Sequence, residues 1–177
     1  MDCAEFLSIF VDIISPNWWR ITVKETILVS ACLLGLRCCY NGCNNTNQAV
    51  IKLREKYVLI PVCPEQLGGL QTPRPPSFFI EGDGSQTLKG IDNLKNNKNE
   101  NVSSNFRMGA EDALKICRLL DIRTAILKER SPSCGTHHIY LKEKLTKGMG
   151  VTAKILKSND IRVMSENDTR RLDERKN

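Results

Sequence analysis

The chain has 177 residues, which is enough for one domain with a buried core. Apolar residues make up 41% and charged residues 26%, and this ordinary composition excludes collagen-like, coiled-coil and wholly disordered structures. Aromatic residues, at 6%, leave little material for a base-stacking surface, and a net charge of +6 is too small to indicate a duplex-binding protein.

We expect no targeting signal in the N-terminal part. Residues 6–14 are apolar, but Asp12 interrupts them and acidic rather than basic residues precede them, so they do not resemble a signal peptide. The longest nearly apolar run, residues 27–36, is too short to span a bilayer. We expect an N-terminal extension over residues 1–26 and a single domain over residues 27–177.

Eight cysteines are an unusual number for a chain of this length. Disulfides would serve a small secreted protein, but this chain is long enough to fold without them and shows no export signal. We therefore expect a cytoplasmic protein, where clustered cysteines more often bind metal or take part in catalysis.

Strand and helix patterns alternate along the chain. Apolar runs predict strands at residues 26–31, 57–62, 122–127 and 161–164. Helical spacing predicts helices at residues 47–56, 106–120 (capped by Ser103 or Ser104), 151–157 and 167–176. The alternation indicates a mostly parallel sheet with crossover helices, and the continuously apolar strands indicate a sheet that is covered on both faces. The predicted fold class is α/β, a single Rossmann-like domain.

Two further segments lie between these elements. Residues 78–81 and 86–90 flank Gly82-Asp83-Gly84, which predicts a small β-hairpin insertion. Residues 93–105 contain six asparagines, and this low complexity predicts an exposed, mobile loop.

Three cysteines, Cys32, Cys63 and Cys134, each follow the C-terminal end of a predicted strand. In an open parallel sheet these ends share one edge, where ligands bind. Three thiolates suit an iron–sulfur cluster with one open iron, or a zinc ion with an open position. The alternative is three small buried side chains that only pack in the core.

Four sequence blocks occur in a specific order. They are Ser30-Ala-Cys-Leu-Leu-Gly35, Pro61-Val-Cys-Pro-Glu-Gln-Leu-Gly-Gly-Leu70, Ser131-Pro-Ser-Cys-Gly135 and Gly148-Met-Gly-Val-Thr-Ala153. In this order the chain resembles the thiouracil desulfidase family over roughly residues 27–166. The resemblance implies an α/β sheet fold, a [4Fe-4S] cluster on three cysteines, and removal of sulfur from thiolated uracil to give uracil and hydrogen sulfide.

The resemblance also implies roles for single residues. Cys32, Cys63 and Cys134 would hold the cluster, and Glu65 and Ser133 would be catalytic. Exchange of C=S for C=O is a hydrolysis that needs an activated water, and Glu65 is the nearest candidate base in the sequence. Ser133 could orient that water or the base.

Ser30, Gly68 and Arg74 are the candidate substrate-binding residues. The planar guanidinium of Arg74 can bind a pyrimidine oxygen or a phosphate. The expected partner is a small thiolated pyrimidine, with no membrane and no stable nucleic-acid complex. The chain departs from the family pattern at Cys39, where an arginine is usual, and in the residues after Cys134.

Two alternatives remain open from the sequence. The cysteines could form a non-catalytic zinc- or cluster-binding module, although the spacing of Cys38, Cys39 and Cys43 fits no zinc pattern and favours free thiols. Residues 148–153 match the G-x-G-x-x-A nucleotide pattern, but the lysine-rich residues 142–147 stand where a strand should lead into the first glycine.

Overall fold

The protein is described by a computed structural model over residues 24–170 and residue 172. Nearly all of the expected N-terminal extension lies outside the described residues, so the boundary near residue 26 stays a prediction. Much of the helix expected over residues 167–176 also lies outside them.

The described elements follow one another as a mixed series of short strands and helices. The strands are β1 (Thr26–Ser30), β2 (Val58–Val62), β3 (Ser77–Phe79), β4 (Leu94–Asn96), β5 (Thr124–Leu127), β6 (His138–Leu141), β7 (Lys144–Lys147) and β8 (Arg162–Ser165). The helices are α1 (Gln48–Lys52), α2 (Pro64–Leu67), α3 (Gly84–Leu88), α4 (Ser103–Leu119) and α5 (Val151–Lys157), with 3-10 turns at Ala31–Leu34 and Leu53–Glu55.

The main sheet has four parallel strands in the order β2-β1-β5-β8. Strand β1 is central, and its residues Ile27, Leu28 and Val29 are fully buried because helices and loops cover both faces. The four predicted strands and the parallel sheet are therefore confirmed. The order places the carboxyl ends of β1, β2 and β5 side by side.

A second, mixed sheet has the order β4-β3-β6-β7. It corrects the predicted hairpin, because β3 pairs with β4 and residues 84–88 form helix α3 instead of a strand. Asp83 and Gln86 form a capping box at the start of α3, in which each side chain bonds the other's backbone N–H. The lysine-rich residues 144–147 form the exposed strand β7. A strand therefore does lead into Gly148, which corrects the sequence argument made against a nucleotide site at residues 148–153.

The asparagine-rich residues 93–105 are ordered parts of the domain, so the prediction of a mobile loop is wrong. Asn93 is fully buried, and its Nδ2 donates to the carbonyls of Glu81 (2.9 Å) and Asp83 (3.1 Å). Asn96 Oδ1 accepts the backbone N–H groups of a tight turn. The asparagines replace backbone hydrogen-bond partners, which composition alone does not reveal.

Helix α4 is the longest described helix and supports the loop at the end of β2. Its N-cap is Val102, without a side-chain cap, and Ser103 instead accepts the N–H of Leu94 through its hydroxyl. Gly109 on α4 lies so close to the carbonyl of Pro64 that a β-carbon there would collide with it. This close approach holds α2, and the residues around Cys63, against α4. No helix in the described part of the chain is long and apolar enough to cross a membrane.

Candidate active site

Three cysteines meet at the carboxyl edge of the main sheet. Cys32 lies in the 3-10 turn directly after β1, Cys63 lies between β2 and α2, and Cys134 lies in the loop after β5. Because β1 is flanked by β2 and β5, the three thiols reach the same cavity, whose volume is about 530 Å³. The convergence expected from the strand ends is therefore present in the structure.

The surroundings of the three thiols differ. Hydrogen bonds from the Cys38 thiol lower the pKa of Cys32, and they also lower the pKa of Cys63 to about 7. Burial raises the pKa of Cys134, although a hydrogen bond from the Ser30 hydroxyl opposes that effect. A bound metal or cluster lowers the pKa of the thiols that ligate it, so all three cysteines can serve as thiolate ligands despite their different surroundings.

The donor set is of the kind that an iron–sulfur cluster uses. Within residues 24–170 and 172, no group of three or more His, Cys, Asp or Glu side chains is arranged to hold one metal ion. A zinc ion needs its thiolates about 2.3 Å from one point, whereas a cluster binds its thiolates on separate irons. Cys32, Cys63 and Cys134, spaced around one cavity, suit a cluster with one iron free of protein ligands.

A carboxylate shares the cavity with the thiols. Glu65 lies on α2, two residues after Cys63. Its Oε2 accepts a hydrogen bond from Arg74 Nε at 2.8 Å, and its Oε1 accepts one from Ser131 Oγ at 3.3 Å. Both oxygens are therefore held, and the carboxylate has a defined orientation beside the cysteines.

The guanidinium of Arg74 is largely engaged by the protein. Nη1 donates to the carbonyl of Gln71 and to Thr72 Oγ1, and Nη2 donates to the carbonyl of Cys38 at 3.0 Å. These bonds give the buried guanidinium partners that replace water. The geometry favours a role in positioning Glu65, and a direct contact between Arg74 and substrate stays a prediction.

The two serines before Cys134 have different positions. Ser133 is buried outside the cavity lining, and its hydroxyl shares a hydrogen bond of 2.8 Å with Thr152 Oγ1. Ser131 lines the cavity, donates to Glu65 and accepts the N–H groups of Ser133 and Cys134, each at 3.1 Å. The site therefore contains Ser131, which the sequence reasoning missed in favour of Ser133. The available signal was a serine three residues before Cys134, a spacing that suits a serine turn.

Of the two other candidate substrate-binding residues, the structure places one at the cavity and the other outside its lining. Ser30 is buried, lines the cavity and accepts the N–H of Lys128 at 2.9 Å. Gly68 lies outside the cavity lining, and a β-carbon there would collide with the carbonyl of Asn105 on α4. The position of Gly68 therefore supports a packing role and gives no support to substrate binding.

A second residue missed in the sequence holds the loop that carries Cys134. Glu129 is buried, and its carboxylate accepts the N–H groups of Thr136, His137 and His138 together with the Thr136 hydroxyl. Burial alone would raise the pKa of Glu129, but these hydrogen bonds outweigh it and lower the pKa to about 2. The ionised carboxylate closes the loop over residues 129–138.

The remaining cysteines near Cys32, the histidine beside Glu129 and the glycine motif lie in three different environments. Cys38, Cys39 and Cys43 line the same cavity as free thiols. The His137 side chain is more than half exposed beside Glu129, away from the cavity lining. In the glycine motif, Gly150 packs against the carbonyl of Ser133, so the close approach of two backbones explains the glycine without a nucleotide.

Comparison with known proteins gives a consistent result. A model of the 2-thiouracil desulfurase family matches residues 27–168. The uncharacterized protein YbbK of Bacillus subtilis (strain 168) is 39% identical over 145 residues, which cover 80% of this chain and 96% of YbbK. The solved structure of the [4Fe-4S]-dependent thiouracil desulfidase TudS is similar with a TM-score of 0.73 and 36% identity, covering 84% of this chain and 95% of that one. This chain belongs to the 2-thiouracil desulfurase family.

Proposed function

We propose that this chain is an enzyme that removes sulfur from a thiolated uracil, giving uracil and hydrogen sulfide, with a [4Fe-4S] cluster held by Cys32, Cys63 and Cys134. The observation that carries the proposal is the convergence of these three thiols and one oriented carboxylate on a single cavity. Membership of the 2-thiouracil desulfurase family supports the same activity.

The cofactor and the protein have separate tasks in this reaction. When bound, the cluster supplies a thiophilic, Lewis-acidic iron that holds the thione sulfur and polarises the C=S carbon. The chain supplies three thiolates for the cluster, and a fixed base for water. The overall change, C=S plus H₂O giving C=O plus H₂S, needs no electrons.

Glu65 is the residue that we assign to water activation. Its carboxylate takes a proton from the attacking water and can return it to the departing sulfide. Arg74 and Ser131 hold one carboxylate oxygen each, so that the base does not lose its orientation between turnovers. We assign this supporting role to Ser131 rather than to Ser133, whose hydroxyl faces Thr152.

The substrate binds in the cavity beside the cysteines. Tyr40, Phe78 and Tyr140 contribute aromatic rings to its wall, and these suit the flat ring of a thiolated pyrimidine. Ser30 on the cavity wall is the proposed polar contact. A reducing cytoplasm, as expected from eight cysteines, is the compartment that suits the free thiols.

Anaerobic reconstitution with iron and sulfide, followed by a thiouracil turnover assay, tests this function. We expect about four irons per chain and release of uracil and sulfide in equal amounts. Cys117→Ser is a matched control, because that thiol lies in the core formed by α4 and outside the cavity lining. Uptake of one zinc ion without turnover would replace the proposal with a non-catalytic metal module.

A further inference from the structure

Cationic side chains on the cavity wall differ in how firmly the protein holds them. Among the described residues, four cationic residues line the cavity: Arg74, Lys128, Arg130 and Lys142. The guanidinium of Arg74 is engaged by Glu65 and by the loops around it. Arg130 and Lys142 are exposed, and in the described part of the chain no hydrogen bond or ion pair holds either side chain. Lys128 differs from all three.

Two acceptors hold the ammonium group of Lys128. Its Nζ donates to Glu166 Oε1 at 2.7 Å and to the backbone carbonyl of Glu129 at 3.1 Å. An ammonium has three N–H groups, so the acceptors that the described residues supply leave one N–H for a further acceptor. The side chains of Lys128 and Glu166 are 26% and 10% exposed, so the pair is largely shielded from water while the cation still reaches the surface of the cavity.

The partners of Lys128 are themselves fixed. Glu166 Oε2 accepts the backbone N–H of Glu129 at 2.7 Å, so the carboxylate cannot rotate away from Lys128 without losing a bond. The backbone of Lys128 follows β5 directly, and its N–H donates to Ser30 Oγ at 2.9 Å. Lys128 is therefore anchored beside Ser30, the proposed polar contact on the cavity wall.

We propose that the ammonium of Lys128, oriented by Glu166, donates a hydrogen bond to the ring oxygen of the thiolated uracil that is not exchanged, and so selects pyrimidines that carry this oxygen. The role deepens the proposed function and rests on it. The sulfur is the group that the reaction replaces, so the remaining oxygen is what distinguishes thiouracil from a simple pyrimidinethione. A site built to hydrogen-bond one substrate group discriminates strongly against an analogue that lacks it.

The experiment measures kcat/KM of reconstituted protein for two matched probes. One is thiouracil, as the 2- or 4-thio isomer that wild-type protein turns over, and the other is the pyrimidinethione with the same thione group and no ring oxygen. A hydrogen bond from a charged group is typically worth about tenfold to hundredfold. We expect Lys128→Met to lose that factor with thiouracil and to change little with the pyrimidinethione. Lys128→Arg keeps a cation and should retain part of the preference for thiouracil.

Further measurements separate this role from a structural one. Titration calorimetry with uracil, which carries the same oxygen, should give a Kd about tenfold higher in Lys128→Met. Lys128→Met leaves Glu166 without its cation, so the double variant Lys128→Met/Glu166→Gln tests the role if the single variant does not fold, and it should show the same loss of preference. Lys115→Met is the matched control, because Lys115 also pairs with a carboxylate at 2.8 Å but is 73% exposed and lies outside the cavity lining.

Two results would overturn the role of Lys128. One is an unchanged preference for thiouracil in Lys128→Met or in the double variant. The other is an equal fall in kcat/KM for both probes, because that result would make Lys128 structural. If wild-type protein takes up no iron or turns over neither thiouracil isomer, the proposed function fails and this role fails with it. Wild-type turnover with an unchanged preference in the variants overturns the role of Lys128 alone.

Discussion

Arg74 donates a hydrogen bond from Nε to Oε2 of Glu65 across 2.8 Å, and the two side chains are only 6% and 14% exposed. Water screens such a pair poorly, so the pair is held by geometry and by charge together. Removal of one partner from a buried pair leaves the other charge uncompensated and typically costs about 3–5 kcal/mol. The base of the site and the stability of the domain are therefore linked at this contact.

Arg74→Met tests the positioning role. We expect kcat to fall about tenfold or more with a smaller change in KM, because Glu65 loses its orientation, and we expect the free energy of unfolding to fall by about 3 kcal/mol. Steady-state kinetics and urea unfolding measure the two effects. Arg107→Met is the control, since Arg107 pairs at 3.5 Å with the more exposed Asp92. A large rise in KM with normal kcat would instead make Arg74 a substrate-binding residue.

Glu65→Gln separates substrate binding from chemistry. The variant keeps the size of the side chain but cannot take a proton, and loss of a positioned general base typically lowers the rate about 10²- to 10⁴-fold. We expect it to retain its iron and a substrate-induced change in the cluster absorption spectrum. Turnover at the wild-type rate would remove Glu65 from the mechanism, and loss of iron would indicate a structural role.

Ser131→Ala and Ser133→Ala should have different effects. Ser131→Ala removes the hydroxyl that holds Glu65 Oε1, so we expect kcat to fall about tenfold at unchanged iron content. Ser133→Ala leaves the buried Thr152 hydroxyl without this partner, which should cost about 1–2 kcal/mol of stability with kcat retained. Kinetics and thermal unfolding of both variants distinguish the serines. A loss of kcat in Ser133→Ala alone would restore Ser133 as the catalytic serine.

Serine substitutions of single cysteines test the ligand set. We expect serine at Cys32, Cys63 or Cys134 to abolish iron binding, because each replaces a thiolate at the cavity. The matched controls are Cys38→Ser, Cys39→Ser, Cys43→Ser and Cys117→Ser, which should retain iron and the brown colour. If Cys38→Ser loses iron while Cys32→Ser keeps it, the assignment of ligands is wrong.

Glu129→Gln should change the response of the fold to acid. Burial opposes ionisation of Glu129, but hydrogen bonds lower its pKa from 4.5 to about 2. A depressed pKa stabilises the fold above pH 4.5, and this contribution is lost as the pH falls from about 4.5 to about 2. We expect the free energy of unfolding of Glu129→Gln to be about 2–3 kcal/mol lower than that of wild-type protein at pH 7, and the difference to be smaller near pH 2.

Urea unfolding at several pH values measures this difference. Glu111→Gln, on the exposed side of α4, is the matched control and should change little at any pH. The prediction would be contradicted if the difference in the free energy of unfolding between wild-type protein and Glu129→Gln stayed constant from pH 7 to pH 2.

The sequence alone determined the strands and helices of the main sheet and the edge at which the three cysteines meet. Long apolar runs and helical spacing are local patterns, so strands such as β1 and β5 and the helix Val151–Lys157 follow from them directly. The positions of Cys32, Cys63 and Cys134 after strand ends predicted a common edge, because parallel strands point in one direction. Thiol chemistry then made a metal or a cluster the candidate ligand, with plain packing of the three thiols as the alternative.

Only the tertiary structure decided which polar side chains serve the site. Ser131 and Ser133 are two residues apart, yet one hydroxyl meets Glu65 and the other meets Thr152. The direction of a side chain in a loop depends on partners that are distant in the sequence, here 66 and 19 residues away. The same holds for the guanidinium of Arg74, which reaches 36 residues back to Cys38. Hydrogen bonds over such distances form only when packing brings the loops together, so no local pattern encodes them.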